Sequence, residues 1–344
     1  MSVARFLAVG DIHFEGIENY FPDEHISLIT TTLRQIWRYA RENGVENVII
    51  LGDVFDSPFP KDESKKAFLK CLDKRLKYYI ILGNHDYATP QENSLNLCKY
   101  FIEDLGLMNN VKFFVKPETV EIDGVKFDML PFPQTKPLTT ENSVCIGHFE
   151  CKGYMADNGR KFTSGQVLDD KHVWLLGHLH RQQGDLYPGS IVQTKFGEPV
   201  GKFFFDCKTN GKQLKLRKIA IQTPFKLLDV VVSKLEDLDV LEKENCYRLY
   251  VASHLDTVEL KNKTQNFNVW DIKGLPKGES KVIQCGVIDQ QDVEYVETTL
   301  GNEIDFLREW LSDKNNVDLT DEEINKAVEI VEGLENDSDK ISDV

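Results

Sequence analysis

Seven side chains that could ligate metal ions follow five short apolar segments of the sequence. Each segment is rich in β-favouring residues and ends in Gly or a small residue followed by Asp, Asn or His. Carboxylate and amide oxygens mixed with imidazole nitrogens suit Mn, Fe or Zn-type divalent ions, and the absence of thiolates from these motifs argues against a closed structural zinc site. Seven donors are too many for one ion, so the pattern predicts two metal ions that share a bridging carboxylate. The candidate ligands are Asp11, His13, Asp53, Asn84, His148, His178 and His180.

Each of these motifs has an ordinary alternative when it is taken alone. Gly-Asp and Gly-Asn after a strand are common turns, and Gly-His-x-His could be a surface loop. The repetition favours the metal site, because five of the eight histidines follow these apolar segments. The other three, His25, His172 and His254, are interpreted as helix-surface or loop residues.

The apolar segments are predicted to be strands that deliver the candidate ligands at their carboxyl ends. The predicted strands cover residues 5–9, 45–51, 78–82, 144–146 and 173–176, and helical spacing predicts helices over 26–43, 64–76 and 94–105. This alternation indicates parallel strands joined by right-handed helical crossovers. Parallel sheets of this kind bind ligands at the carboxyl ends of their strands.

The pattern changes towards β structure from residue 111 onwards. Asp123-Gly124 lies between two β-favouring segments and predicts a hairpin, and further strands are predicted over 191–194 and 202–206. We expect a catalytic domain over residues 1–222.

Three further segments follow the predicted catalytic domain. Residues 223–289 mix short strands with a loop rich in Asn, Lys and Gly, which predicts a small α+β cap domain. Residues 290–335 show the apolar spacing of amphipathic helices, and residues 336–344 are predicted to be a disordered tail.

Composition places the chain among soluble globular proteins of the cell interior. Its 344 residues are 41% hydrophobic and 28% charged, and no apolar run approaches the roughly 18 residues that a membrane span needs. The seven cysteines are scattered and odd in number, which favours a reducing, cytoplasmic compartment over a disulfide framework (the host cytoplasm if the protein is viral). Residues 289–344 hold 18 acidic and four basic residues, so this segment carries −14 of the total charge of −15. The rest of the chain is nearly neutral, and binding to phosphates remains compatible with it.

The order of the five motifs resembles that of the calcineurin-like metallophosphoesterase superfamily. The motifs are Asp-x-His at 11–13, Gly-Asp-x-x-Asp at 52–56, Gly-Asn-His-Asp at 83–86, Gly-His at 147–148 and Gly-His-x-His at 177–180. Within the superfamily, the chain is similar to SbcD-type nucleases of double-strand-break repair, including the recombination nuclease subunits of large bacteriophages. That likeness rests on the absence of the phosphatase Arg-Gly from the second motif, on Asp86 in place of Glu, and on the cap and acidic helical tail.

The resemblance implies a metallophosphoesterase β-sandwich flanked by helices, with the cap and tail described above. It implies one metal ion on Asp11, His13, Asp53 and His180, and a second on Asp53, Asn84, His148 and His178, with Asp53 bridging. His85 would be the general acid rather than a ligand. Asp56 would orient the catalytic imidazole, as the corresponding Asp does in phosphatases and bacterial members. No role is assigned to Asp86.

The resemblance also implies a function and partners. The expected activity is a two-metal DNA exonuclease or endonuclease that uses Mn²⁺, with Mg²⁺ as the alternative, within a recombination and repair complex. The expected partner is an SbcC-type coiled-coil ATPase bound by residues 290–335, with the helices over 64–76 and 94–105 forming a homodimer. The alternatives are a phosphomonoesterase or cyclic-nucleotide phosphodiesterase, since one metal centre serves both chemistries, and a non-catalytic scaffold of the same fold.

Overall fold

Two β-sheets and a smaller third sheet organise the part of the chain that the computed structural model describes, which is residues 2–89, 91–104, 108–139, 141–157 and 159–275. The strands in chain order are β1 (Ala4–Val9), β2 (Asn47–Ile50), β3 (Lys77–Ile81), β4 (Val111–Phe114), β5 (Glu118–Ile122), β6 (Val125–Leu130), β7 (Val144–His148), β8 (Val173–Gly177), β9 (Lys202–Thr209), β10 (Leu214–Ile221), β11 (Leu227–Val232), β12 (Cys246–Val251) and β13 (Asn268–Gly274). The helices are α1 (His25–Glu42), α2 (Asp62–Cys71), α3 (Asn96–Lys99) and α4 (Thr257–Thr264), with a π-helical turn at Tyr100–Asp104 and a 3₁₀ turn at Leu235–Val240.

The first sheet has six strands in the order β10-β9-β1-β2-β3-β4. Strands β1 to β4 are parallel, as the alternation of apolar segments and helices predicts. Strands β9 and β10 extend the sheet on the other side of β1 as an antiparallel pair. The carboxyl ends of β1, β2 and β3 therefore lie side by side at one edge of this sheet.

The second sheet has four strands in the order β5-β6-β7-β8. The predicted hairpin joins β5 to β6, and Asp123 and Gly124 at its turn both have positive φ angles, of 50° and 75°. Strands β6, β7 and β8 are parallel, so the two histidine-bearing strands β7 and β8 are neighbours in this sheet. The predicted ligands thus come from two sheets rather than one.

A buried apolar layer between the two sheets makes the domain a β-sandwich. Phe6, Ile49 and Ile81 of the first sheet pack with Phe127 and Ile146 of the second. A second apolar cluster fills the space between the first sheet and the helices, where α1 buries residues at helical spacing: Ile29, Leu33, Ile36, Trp37 and Ala40. This arrangement confirms the expected metallophosphoesterase sandwich flanked by helices.

Two local predictions about secondary structure are wrong. Helix α2 ends at Cys71 instead of residue 76, because the Asp73 side chain accepts hydrogen bonds from the Arg75 backbone and guanidinium and forms a turn before β3. Residues 191–194 are not a strand in the described chain. Their backbone groups bond to side chains and to a loop instead of a ladder, for example Thr194 N to Glu198 Oε2.

The third sheet belongs to the predicted cap and consists of parallel strands in the order β11-β12-β13. Val232, Leu249 and Leu260 form its small core with α4. The Gln193 side chain joins β11 to the segment that precedes β9, because it both donates to and accepts from the Leu227 backbone. The predicted domain bounds stay predictions, and the rest of the cap, the 290–335 helices and the 336–344 tail lie outside the described residues.

The six cysteines in the described residues are buried and free of disulfide bonds.

No described helix combines the length and apolar character that crossing a membrane requires.

A buried carboxylate on β9 gives a prediction about acid stability. Arg5 and Arg217 donate to Asp206, as does the Tyr39 hydroxyl. Burial favours the neutral acid, but the two guanidinium groups hold the pKa of Asp206 below its usual value of 3.8. A lowered folded-state pKa stabilises the protein above the unfolded value, and this contribution is lost as pH falls through the folded value.

We therefore expect Asp206→Asn to lower the free energy of unfolding near pH 7 by about 1–3 kcal/mol, the scale of hydrogen bonds to charged groups. The difference from wild type should shrink below about pH 4. Urea unfolding at several pH values checks this, with the exposed Asp170→Asn as a control. A difference that stays constant down to pH 3 would contradict it.

Candidate metal centre

The loops after β1, β2 and β8 form the first half of the site. Asp11, His13 and His180 lie with donor atoms within 4.8 Å of one another. His13 Nε2 is 3.0 Å from His180 Nε2 and 3.6 Å from Asp53 Oδ2. These four residues are the set that the resemblance assigns to one metal ion.

The loops after β2, β3 and β8 and the last residue of β7 form the second half. Asn84 Oδ1 lies 2.9 Å from His148 Nε2 and 2.8 Å from His178 Nδ1. His148 Nε2 is 3.2 Å from Asp53 Oδ2, the same oxygen that faces His13. The structure therefore brings all seven predicted ligands together and puts Asp53 between the two sets.

Three of the imidazoles use Nδ1 to hydrogen-bond a protein oxygen, which leaves Nε2 available as a metal ligand. In metal-ligating histidines, the ring nitrogen that does not bind the metal typically donates to a protein oxygen, because this bond fixes the tautomer and the ring orientation. The pairs are His13 with Asp56, His148 with the Leu51 carbonyl and His180 with Glu198, at 2.9, 2.7 and 2.9 Å.

The buried donors fit divalent cations. Oδ2 of the fully buried Asp11 has no hydrogen-bond partner among the described residues, although buried carboxylate oxygens are normally satisfied. Burial disfavours the charged imidazole, yet the Asp53 and Asp11 carboxylates raise the pKa of His148 to about 9. The pocket therefore strongly favours positive charge, as a pair of metal ions requires.

Three of the predicted ligands have left-handed backbone conformations, which non-glycine residues rarely adopt. The φ angles are 51° at His13, 49° at Asp53 and 95° at His178. Such conformations cost about 1–3 kcal/mol each and concentrate at functional sites. The fold therefore accepts local strain where each of these three side chains enters the centre.

Glycines at the second and third motifs allow the loops to approach each other closely. A Cβ atom at Gly83 would collide with the Asp53 carboxylate, and one on Gly52 would lie 2.5 Å from His148 Nδ1. Gly52 also has a φ angle of +94°, which favours glycine. Both motifs therefore need glycine for the packing of the predicted ligands.

His85 lies beside the seven ligands and lines the open cleft above them. Its backbone N–H donates to Asp53 Oδ1 at 2.8 Å, and its Nδ1 donates to the Asp56 carbonyl at 3.1 Å. The Asp56 carboxylate lies closer to His13 Nδ1, at 2.9 Å, than to His85 Nδ1, at 3.7 Å. The predicted roles of His85 and Asp56 stay predictions, and the backbone of Asp56 is the part that bonds to His85.

Asp86, which had no role in the sequence interpretation, joins two loops of the site. Its fully buried carboxylate accepts hydrogen bonds from the backbone N–H groups of Val54, Phe55 and Gly83 and from the Ser94 hydroxyl. Val54 follows the proposed bridging residue, and Gly83 opens the third motif. Asp86 therefore fixes the loop that carries Asp53 against the loop that carries Asn84 and His85.

We expect Asp86→Asn to lower the free energy of unfolding by about 1–3 kcal/mol, because its NH₂ group would face buried N–H donors. The same change should weaken Mn²⁺ binding, since both loops would shift. Chemical denaturation and calorimetric titration measure the two effects. Ser94→Ala is the matched control, because it removes one donor and leaves the three backbone bonds in place. Asp86→Asn with wild-type stability would show that these bonds do not join the loops.

The cleft has a volume of about 220 Å³ and contains residues that the motifs do not include. Lys195, Asp157 and Phe162 line it, and Lys195 Nζ donates to Asp157 Oδ2 at 2.9 Å. The pKa of Glu198, which bonds to His180, is lowered: burial opposes the charge, but the charge of Lys202 outweighs it. Asp157, Phe162, Lys195 and Glu198 lie on irregular segments and Lys202 opens β9, and none of them belongs to a recognisable motif.

A centre of carboxylate, amide and imidazole ligands at the edges of a two-sheet sandwich defines a metal-dependent phosphoesterase of the dinuclear type. The chain belongs to the calcineurin-like phosphoesterase family, which it matches over residues 4–182, more than half of its length. Members of this family use a dinuclear metal centre, and the described chain carries His and Asp clusters that could hold it.

The chain is similar to three viral proteins. It is 28% identical to exonuclease subunit 1 of Enterobacteria phage T4 in an alignment 236 residues long, which covers 60% of this chain and 65% of the relative. It is 24% identical to the putative phosphoesterase 078R of Invertebrate iridescent virus 3, over 63% of this chain and 66% of the relative. It is 23% identical to the putative phosphoesterase 244L of Invertebrate iridescent virus 6, over 71% of this chain and 92% of the relative. The matched region thus spans just under two thirds of the first two relatives.

Proposed function

We propose that the protein is a two-metal DNA nuclease, the catalytic subunit of a recombination and double-strand-break repair complex. The observation that carries the proposal is the joint presence of the seven-ligand centre and the similarity to a phage exonuclease subunit. The free, buried cysteines are compatible with the reducing, cytoplasmic compartment where such a complex would work.

In this proposal each residue of the centre has a definite role. Asp11, His13, Asp53 and His180 would hold one divalent ion, and Asp53, Asn84, His148 and His178 would hold the other, with Mn²⁺ as the first candidate. Two divalent ions bound there would supply Lewis acidity towards water and the phosphodiester. His85 donates a proton to the leaving oxygen from Nε2, because Nδ1 is engaged by the Asp56 carbonyl. Asp56 would orient the imidazole through that carbonyl, and its carboxylate lies 3.7 Å from His85 Nδ1.

The test is a Mn²⁺-dependent cleavage assay on linear DNA with blunt, 3′-overhang and hairpin ends, with p-nitrophenyl phosphate as the competing substrate. We expect cleavage of DNA and much slower hydrolysis of the phosphomonoester. Efficient hydrolysis of the monoester or of a cyclic nucleotide, with DNA left intact, would refute the nuclease and favour the alternative phosphoesterases. His172→Gln is the control for substitutions in the centre, because it replaces a histidine that lies outside the seven candidate ligands and should cleave DNA like the wild type.

We further propose that the protein works with a coiled-coil ATPase of the SbcC type and forms a homodimer. The phage relative is named as a subunit, which supports a complex for this chain. Leu97 of α3 and Tyr100 in the following turn are 43% and 49% exposed and offer an apolar contact within residues 94–105, one of the two segments expected to form the dimer. Sedimentation of Leu97→Glu and Tyr100→Glu variants tests the dimer, and a pull-down of the chain truncated at residue 290 tests the partner site. Unchanged dimerisation and unchanged partner binding would refute the two proposals.

A further inference from the structure

A buried ion pair that belongs to none of the five motifs lies behind His180. Glu198 and Lys202 side chains are 1% and 2% exposed, and Lys202 Nζ is 2.8 Å from Glu198 Oε2. Lys202 opens β9, and Glu198 lies on the irregular segment before it. Two charges are thus removed from water directly beside the proposed metal centre.

Lys202 holds the backbone of His180. Its Nζ donates to the His180 carbonyl at 3.2 Å, to Ser190 Oγ at 2.8 Å and to Glu198 Oε2 at 2.8 Å. An ammonium group has three N–H donors, so this buried group is fully satisfied.

Glu198 holds the ring of the same histidine. Its Oε1 accepts from His180 Nδ1 at 2.9 Å and from the Thr194 hydroxyl at 2.8 Å. The Thr194 backbone N–H lies 3.3 Å from Oε2. The two members of the pair therefore fix His180 at its main chain and at its imidazole together.

Stability alone does not explain this arrangement. The desolvation of two buried charges offsets much of their attraction, and apolar residues of similar volume often stabilise a fold equally well. Apolar residues would not, however, accept the proton on His180 Nδ1. The convergence of both charges on one residue instead points to the orientation of that residue.

We propose that the Glu198–Lys202 pair positions His180, keeping the proton on Nδ1 and Nε2 directed at the first metal ion. The inference rests on the proposed metal centre. Neither residue lies among the seven proposed ligands, so both are positioning residues. Glu198 supplies the hydrogen-bond acceptor, and Lys202 neutralises Glu198 and ties it to the His180 backbone.

Two double variants separate this role from folding. E198Q/K202M removes both charges but keeps an amide oxygen that can accept from His180 Nδ1. E198L/K202M removes both charges and the carboxylate acceptor, and leaves the Thr194 hydroxyl, 3.0 Å from His180 Nδ1, as the nearest remaining oxygen. Thermal unfolding without metal compares their stabilities, and calorimetric titration with Mn²⁺ measures the affinity of each of the two sites.

We expect both variants to fold, and E198Q/K202M, which keeps the acceptor but lacks the Lys202 bond to the His180 carbonyl, to bind two Mn²⁺ ions with a smaller loss of affinity than E198L/K202M. E198L/K202M should bind one of the two ions about 10–100-fold more weakly, the usual effect of losing such a partner of a ligating histidine. Equal Mn²⁺ affinities in wild type and E198L/K202M would overturn the inference. Equal losses in the two double variants would overturn it as well, because the acceptor would then not be the decisive feature.

A substitute variant and a measurement on the wild-type protein complete the experiment. If E198L/K202M does not fold, E198D replaces it, because the shorter side chain withdraws the acceptor and retains the charge. Wild-type affinity at both sites of E198D would overturn the inference. A wild-type protein that binds two Mn²⁺ ions without cleaving DNA refutes only the nuclease. One that binds no Mn²⁺ refutes both proposals.

Discussion

Replacement of Asp53 by alanine is expected to remove both metal ions and to reduce DNA cleavage at least about 10³-fold. Asp53 Oδ2 faces His13 in one half of the centre and His148 in the other, at 3.6 and 3.2 Å. A ligand shared by both ions cannot be lost from one site alone. Metal ions contribute several kcal/mol to such reactions, and each 1.36 kcal/mol corresponds to a tenfold change in rate.

Asp53→Asn distinguishes the loss of a ligand from the loss of local structure. Asp53 Oδ1 accepts the His85 backbone N–H, and the amide oxygen of Asn can keep this bond. We expect Asp53→Asn to fold like the wild type and still to bind Mn²⁺ weakly at both sites in calorimetric titration. The control is Asp23→Ala, an exposed carboxylate, which should bind two ions. An Asp53→Ala protein that binds two Mn²⁺ ions with wild-type affinity would refute the bridging role.

The candidate ligands could be predicted from the sequence because each follows a strand of simple apolar pattern, and their role as ligands stays a prediction. A strand that ends in Gly and a polar residue gives a signal within five or six consecutive positions, and β1, β2, β3, β7 and β8 all do so. The structure places the ligands from all five strand ends in one site. What the pattern could not reveal is that β7 and β8 belong to a second sheet, since sheet membership depends on long-range pairing.

The residues that support the ligands were not predictable by the same reasoning. Glu198 and Lys202 act through contacts with His180, which lies 18 and 22 residues before them in the sequence. Residues 191–194, which precede them, have the apolar pattern of a strand. Their backbone groups nevertheless bond to side chains and to a loop instead of to a neighbouring strand. Asp86 was visible in a motif, but its hydrogen bonds to Val54 and Phe55 exist only in the folded chain.

Replacement of His85 by glutamine is expected to reduce DNA cleavage by about 10²–10⁴-fold, the usual contribution of a general acid, without loss of metal binding. His85 is 43% exposed at its side chain and lines the cleft, and its imidazole lies edge-on to that of His13 with ring centroids 4.8 Å apart. It belongs to neither set of proposed ligands. Calorimetric titration with Mn²⁺ should therefore give two ions for the variant, as for the wild type.

A change of leaving group separates proton donation from substrate positioning. The sugar alkoxide that leaves from DNA needs a proton, whereas p-nitrophenolate is a weak base and leaves without one. If His85 is the acid, His85→Gln should lose far less activity on a p-nitrophenyl phosphodiester of thymidine than on DNA. If His85 only orients the phosphate, both substrates should lose activity equally, because both present the same phosphodiester group. Equal losses would therefore remove the acid role and leave His85 as a binding residue, and undiminished DNA cleavage would remove both.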